Sequence, residues 1–168
     1  MSIIKLLLLS LILCISCSKK QKKTVTEPKR NWATLEIKTR YQTLTISKFS
    51  DSAEYSYVTD SKGKLKTLTE PKFQKEEKEE NEKMEMRKIL FTKAEKDSLG
   101  KYIYKSVTQP KFTNVLATDY VGNVVLRLGT GNMNLVCEYY SVGDWTEVSE
   151  NTKKIYDLIS KKIEISKQ

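Results

Sequence analysis

The sequence predicts an α+β fold, an antiparallel β-sheet with two α-helices packed on one face. Apolar and polar residues alternate in several short segments, as they do in half-buried strands. Two longer segments instead carry apolar residues three and four positions apart, the spacing of an amphipathic helix. Strands and helices do not alternate regularly along the chain, so an antiparallel sheet is favoured over a parallel one.

The first strands begin near Trp32. One alternating segment covers residues 33–37, and a second covers residues 44–46 in the opposite parity. Because side chains in a strand point alternately to the two faces, the change of parity predicts a turn or bulge near residues 38–42.

A hairpin is predicted after a third alternating segment at residues 53–57. Asp60 can open a turn with its side chain, and Gly63 can adopt the left-handed conformation that the turn needs. The second strand of this hairpin is expected over residues 65–69. The mixed-charge run at 74–83 then predicts a charged, solvated loop.

Another strand over residues 84–91 leads into the first helix. Thr92 and Glu95 have the spacing of a capping box, in which each side chain accepts a hydrogen bond from the other residue's backbone amide. The helix is expected to end before Pro110. Gly100 weakens it by about 1 kcal/mol relative to alanine, so packing must supply the balance.

Three strands follow, over residues 115–120, 124–128 and 135–142, with glycine-containing turns between them. Short strands in this succession predict an antiparallel meander. The second helix is expected over residues 149–163, where isoleucine and leucine recur at helical spacing.

The amino-terminal sixteen residues have the composition of an export signal. A short segment ending in Lys5 precedes an apolar run that is interrupted by Cys17 and a cluster of lysines. A permanent transmembrane helix needs about 20 apolar residues, so this run is too short for one. We expect residues 1–16 to be a signal peptide.

Ile15, Ser16 and Cys17 resemble the lipobox of bacterial lipoproteins, in which a small residue precedes a cysteine that is acylated before cleavage. Cys14 stands where leucine is usual. The resemblance implies cleavage between Ser16 and Cys17, with palmitate-like acyl chains on Cys17. Ser18 follows the cysteine, as in enteric lipoproteins that are transferred to the outer membrane. Lysines then stand where some surface-exported lipoproteins carry acidic residues, which implies a domain facing the periplasm.

Residues 17–30 are predicted to be a basic linker between the lipid and a single domain at 31–168. Residues 1–30 hold seven basic residues and one acidic residue, and so account for +6 of the net charge of +9. Positive charge beside an acyl anchor favours anionic lipid headgroups. We therefore predict a membrane partner and no nucleic-acid partner.

The chain contains no histidine, which excludes Ser-His-Asp and Cys-His catalysis as well as imidazole metal ligands. Cys137 is expected to be a buried apolar residue, and no metal or cofactor is predicted. Glu138, Asp144 and Glu147 are the acids that could form a carboxylate pair of the kind glycosidases use.

Aromatic residues near the carboxyl terminus are the candidate interaction surface. Tyr139 and Tyr140 point to opposite faces of one predicted strand, and Trp145 is expected to close the edge of the core. The function these features favour is a lipid-anchored, non-enzymatic module that binds an envelope protein. Two alternatives stay open: a carrier or sensor of a small apolar ligand, with a cavity of about 300–1,000 Å³, and a carboxylate-based hydrolase.

Overall fold

A computed structural model describes residues 31–66, 82–110 and 122–167. Within them lie six strands, two α-helices and a short 3₁₀ helix at Trp145–Glu147. The strands are β1 Thr34–Lys38, β2 Gln42–Ser47, β3 Ser52–Thr59, β4 Lys83–Leu90, β5 Gly122–Gly129 and β6 Asn134–Val142, and the helices are α1 Lys93–Thr108 and α2 Glu150–Ile159. The strand expected at 115–120, most of the one at 65–69 and most of the charged loop at 74–83 lie outside the described residues.

The six strands form one sheet in the order β4-β3-β2-β1-β5-β6, and every neighbouring pair is antiparallel. The predicted α+β class and antiparallel sheet are therefore confirmed. The predicted turn between the first two strands is a tight connection over residues 39–41. At the next turn, Gly63 has a φ of 74°, and the Asp60 side chain accepts hydrogen bonds from the amides of Lys62 and Lys64.

Alternation along the strands sends their apolar side chains to one face, where the two helices lie. This core contains fully buried residues from the strands and from both helices: Leu35, Ile37, Leu44, Leu126, Leu99, Ile103, Ile155 and Ile159. Removing each such side chain from water stabilises the fold by about 1.5–3 kcal/mol, which makes this layer the main source of stability.

The predicted capping box at the start of α1 is present. The backbone amide of Thr92 donates to Glu95 Oε2 at 2.7 Å, and the amide of Glu95 donates to Thr92 Oγ1 at 3.2 Å. Lys162, beyond the second helix, lies 3.1 Å from the same carboxylate. Partial burial tends to raise the pKa of Glu95, but the bond from Thr92 and the charge of Lys162 outweigh it and lower that pKa.

We expect Glu95→Gln to lower the free energy of unfolding by about 1 kcal/mol at neutral pH, because it weakens the cap and the ion pair. A lowered pKa in the folded state contributes stability above the ordinary pKa of 4.5, and that contribution is lost as the pH falls through the folded-state pKa. Urea unfolding from neutral to acidic pH should therefore show the difference between the two proteins closing. Glu54→Gln, exposed on β3, is the matched control, and a difference independent of pH would contradict this account.

Gly100 lies where the Trp32 indole packs against α1. A Cβ atom added at Gly100 would overlap Trp32 Nε1 and would lie 2.9 Å from Trp32 Cδ1. Trp32 is buried against this point of the helix. The packing expected to offset the weak helix propensity of glycine is thus supplied by this close approach.

Helix α2 is shorter than predicted, because it ends at Ile159 instead of residue 163. Ile163 and Ile165 are both buried, and the chain from 164 to 167 has no regular secondary structure. Ile163 also fits the helical spacing of the preceding isoleucines, so periodicity alone does not reveal where the helix stops.

Three buried side chains hold this carboxyl-terminal segment. Tyr55 donates its hydroxyl hydrogen to the Glu164 carbonyl at 2.5 Å, and Gln42 Oε1 accepts from the Ser166 amide at 2.6 Å. Trp145 Nε1 donates to the Ser166 carbonyl at 2.9 Å. The segment therefore closes the core between the sheet and α2, with the Glu164 carbonyl and the Ser166 amide and carbonyl hydrogen-bonded.

Candidate interaction surface

The sheet face opposite the helices is the most distinctive surface of the described residues. Its central strands carry threonine and serine, together with an ion pair between Glu36 and Arg127, whose Oε1 and Nη1 atoms lie 3.0 Å apart. The helices pack into the core on the other side, and no described helix covers this one. We call it the open face.

Exposed apolar side chains border the open face along both edge strands. On β4 they are Met84, Met86 and Leu90, which are 73%, 68% and 70% exposed. The strand register places them on the same side as Ser56 and Val58 of β3 and away from Tyr55. On β6 the corresponding exposed residues are Val136 and Tyr140.

Strand β4 has a single neighbour, β3, among the described residues. Arg87 covers the neighbouring rings, with its guanidinium carbon 5.2 Å from the Tyr55 centroid and 5.5 Å from that of Tyr57. The Tyr57 hydroxyl donates to Glu85 at 2.9 Å, which raises the pKa of Tyr57. These contacts connect the helix-side face of β4 to β3. Met84 and Met86 lie on the open face and are largely exposed.

Of the three aromatic residues predicted to form an interaction surface, only Tyr140 is exposed. Tyr139 lies in the core, where burial first and then the neighbouring Cys137 thiol raise its pKa. Trp145 has no exposed surface, so it closes the core as expected and does not contact solvent. The Tyr140 hydroxyl bonds to the Glu138 carboxylate, and that bond raises the pKa of Tyr140.

Of the three candidate catalytic acids, Glu138 lies on β6, whereas Asp144 and Glu147 lie at the N-cap and the end of the same 3₁₀ helix. Glu138 lies on the open face beside Tyr140. Asp144 begins the 3₁₀ helix, accepting a hydrogen bond from the Thr146 amide at 2.8 Å, and its Oδ2 lies 3.3 Å from Lys167 Nζ. Glu147 is exposed within that helix. Glu138 and Asp144 therefore each bond to a neighbouring group, as surface and helix-capping carboxylates do.

Cys137 is a free, buried thiol, as the sequence predicts. In the part of the chain that the structure describes, no three metal-binding side chains gather to form a site for an ion. Over the same residues, neither helix is long and apolar enough to cross a bilayer.

Met84, Met86 and Leu90 were not predicted to be surface residues. The signal that could have revealed them is that apolar residues occupy both odd and even positions of residues 84–91. Ile89 and Phe91 lie on the core side, and the other three lie on the open face. That pattern indicates apolar groups on two faces of one strand, but it does not say which face is covered.

The described residues form a two-layer α+β fold, with both helices on one face of the sheet. Comparison of the chain with family models, curated proteins and solved structures gives no match.

Proposed function

We propose that this protein is a lipid-anchored, non-enzymatic binding module of the bacterial cell envelope. Acyl chains on Cys17 would hold it to the outer membrane with its domain in the periplasm, and the open face would bind a protein partner. The observation that carries the proposal is the row of exposed apolar side chains on β4, led by Met84 and Met86, beside a sheet face that no helix of the described ranges covers.

Two properties of this row suit a protein partner. Met84 and Met86 are two positions apart in a strand, so their side chains stand about 7 Å from each other on one face. Methionine side chains are flexible and polarisable, which favours them at surfaces that adapt to another protein. Isolated exposed apolar residues are ordinary, but a contiguous group is typical of interaction sites.

The outer edge of β4 offers a second mode of contact. An edge strand presents backbone donors and acceptors to which an extended segment of another protein can add as a further strand. Lys83 and Lys88 lie along the same strand and are exposed. Lys88 lies on the same face as Met84 and Met86, so an extended partner segment with apolar residues opposite the methionines and an acidic residue opposite Lys88 would match this strand.

The anchor supports this role by confining the protein. Cys17 lies fourteen positions before Asn31, the first described residue. Attachment to a bilayer raises the effective concentration of the module near membrane-bound partners, so a moderate intrinsic affinity suffices. Two or three acyl chains hold stably where a single chain is marginal.

Metabolic labelling with palmitate tests the anchor. We expect the wild-type protein to incorporate label and the mature amino-terminal peptide to carry acylated Cys17 by mass spectrometry. Cys17→Ser should abolish labelling, whereas Cys14→Ser, three positions away, should retain it. Labelled Cys17→Ser protein or an unmodified mature Cys17 would overturn the anchor.

Photocrosslinking in intact cells tests the open face. A photoreactive amino acid at position 86 should give a discrete crosslinked protein, and the same probe at Lys153, exposed on α2, should not. Adding Met84→Ser should reduce the crosslink several-fold, because it removes the methionine that remains beside the probe. Equal crosslinking from positions 86 and 153 would contradict binding through the open face.

A further inference from the structure

The amino-terminal end of the domain lies at a defined end of the sheet. Antiparallel pairing places Thr34, the first residue of β1, opposite Ser47 and Gly129. Asn31 is therefore at the same end as the β2–β3 turn, residues 48–51, and the β5–β6 turn, residues 130–133. We call this end the Asn31 end.

Each of the two turns at the Asn31 end carries a large exposed apolar side chain. Phe49 is 84% exposed and Met133 is 61% exposed. Leu90, which ends β4, pairs with Ser52 and so lies at this end as well. These residues are distinct from Met84 and Met86, which lie toward the opposite end of β4.

Hydrogen bonds hold both turns in place. In the β2–β3 turn, Lys96 of α1 donates from Nζ to the Ser50 carbonyl at 2.9 Å, and the Phe49 amide donates to Ser47 Oγ at 3.2 Å. In the β5–β6 turn, the Thr130 amide donates to the Met133 carbonyl at 2.8 Å. The exposure of Phe49 and Met133 is thus a property of ordered turns.

The strand order fixes how these tips are arranged. The β2–β3 turn and the β5–β6 turn are three strand spacings apart, which is about 15 Å. Strand β1 lies midway between them. The chain arriving from Cys17 therefore enters the domain between two apolar tips, and not to one side of them.

Charged side chains of both signs lie at this end. Among the described residues the basic ones are Lys48, Lys93, Lys96 and Lys162, and the acidic ones are Asp51, Glu95 and Asp97. Lys96 is buried and donates to the backbone carbonyls of the β2–β3 turn, and Lys162 is paired with Glu95. Lys48 directly precedes Phe49, so a basic side chain accompanies the apolar one at that turn.

We propose that the Asn31 end is a membrane-docking surface, in which Phe49 and Met133 enter the headgroup region of the bilayer that holds Cys17. The proposal rests on the lipid anchor put forward above. Exposed apolar tips, with a lysine beside one of them, suit interfacial binding to a bilayer. Fourteen residues span at most about 50 Å when extended, so the Asn31 end is always within reach of the membrane.

Docking in this way would orient the whole module. The strands would stand roughly along the membrane normal, and an eight-residue strand such as β3 rises about 26 Å. The hairpin turn at Asp60–Gly63 would then be the part of the described sheet farthest from the lipid. The open face would point sideways, accessible to a partner in the same membrane.

Depth-dependent fluorescence quenching tests the orientation. The full-length lipidated protein, with acylation of Cys17 first verified by mass spectrometry, is reconstituted in phosphatidylethanolamine and phosphatidylglycerol vesicles containing brominated acyl chains. A fluorophore is attached at Asn132→Cys or at Ser61→Cys, two exposed turn positions at opposite ends of the sheet, while Cys137 is buried. We expect quenching at position 132 to be several-fold stronger than at position 61.

Paired variants assign the effect to the apolar tips. Phe49→Ser with Met133→Ser should reduce quenching at position 132 several-fold, while flotation with the vesicles persists through the acyl chains. Met84→Ser with Met86→Ser should leave the quenching unchanged.

Equal, weak quenching at positions 132 and 61 in acylated, floating protein would overturn the docking and leave the anchor intact. A photoreactive group at position 49 that crosslinks to a protein and not to lipid would also overturn it. Absence of acylation at Cys17 would instead remove the anchor itself.

Discussion

Trp145→Ala should lower the free energy of unfolding by about 3–5 kcal/mol, the range for removing a fully buried large aromatic side chain. Trp145 has no exposed surface, and its ring meets the Tyr156 ring edge to face at 5.8 Å between centroids. Its Nε1 also donates to the Ser166 carbonyl. The substitution therefore opens a cavity and releases the carboxyl-terminal segment that closes the core.

Equilibrium unfolding in urea measures this effect. Domains of this size are typically stable by about 5–15 kcal/mol, so the variant should lose a large part of its stability and unfold at a much lower urea concentration than the wild type. Trp145→Phe retains most of the apolar volume but leaves the Ser166 carbonyl without its donor, and we expect it to lose about 1–3 kcal/mol. Tyr140→Ala, which removes an exposed ring, should change stability by less than about 1 kcal/mol. Equal losses for Trp145→Ala and Tyr140→Ala would contradict the assigned role of Trp145.

Gly100→Ala should also destabilise the protein, although helix propensity alone predicts the opposite. Alanine in place of glycine within a helix is favourable by about 1 kcal/mol. Here the new Cβ would overlap the buried Trp32 indole, and overpacking of this kind costs about 1–3 kcal/mol. We expect the steric cost to exceed the propensity gain, giving a net loss in urea unfolding.

A double-mutant cycle separates the two contributions. In a Trp32→Leu background the indole is absent, so Gly100→Ala should become neutral or stabilising by up to about 1 kcal/mol. Stabilisation by Gly100→Ala in the wild-type protein would show that Trp32 does not restrict this position.

Local patterns were sufficient to predict most of the fold. The alternation in β1 and β2, the Asp60–Gly63 turn and the capping box of Thr92 with Glu95 are interactions between residues close in sequence. Their energies depend on neighbours a few positions away, so composition and spacing reveal them. The end of α2 was mispredicted because Ile163 continues the helical spacing of the preceding isoleucines but is buried beyond the end of the helix.

The candidate surface was only partly predictable. The sequence predicted that Tyr139 and Tyr140 point to opposite faces and that Trp145 closes the core, but it did not show which of the two tyrosines is exposed. The exposed methionines of β4 were missed for the same reason. Which face of a strand is covered depends on where the helices pack, and that is a contact between distant parts of the chain.

By itself, the sequence determined the α+β class, the positions of the turns and helix caps, and the lipobox-like segment ending at Cys17, because each depends on residues within a few positions of one another. The tertiary structure alone decided the strand order and the partners of the carboxyl-terminal segment. It also decided which apolar residues stay in water at the open face and at the Asn31 end. These features depend on contacts between residues far apart along the chain, whose pairing no local pattern specifies.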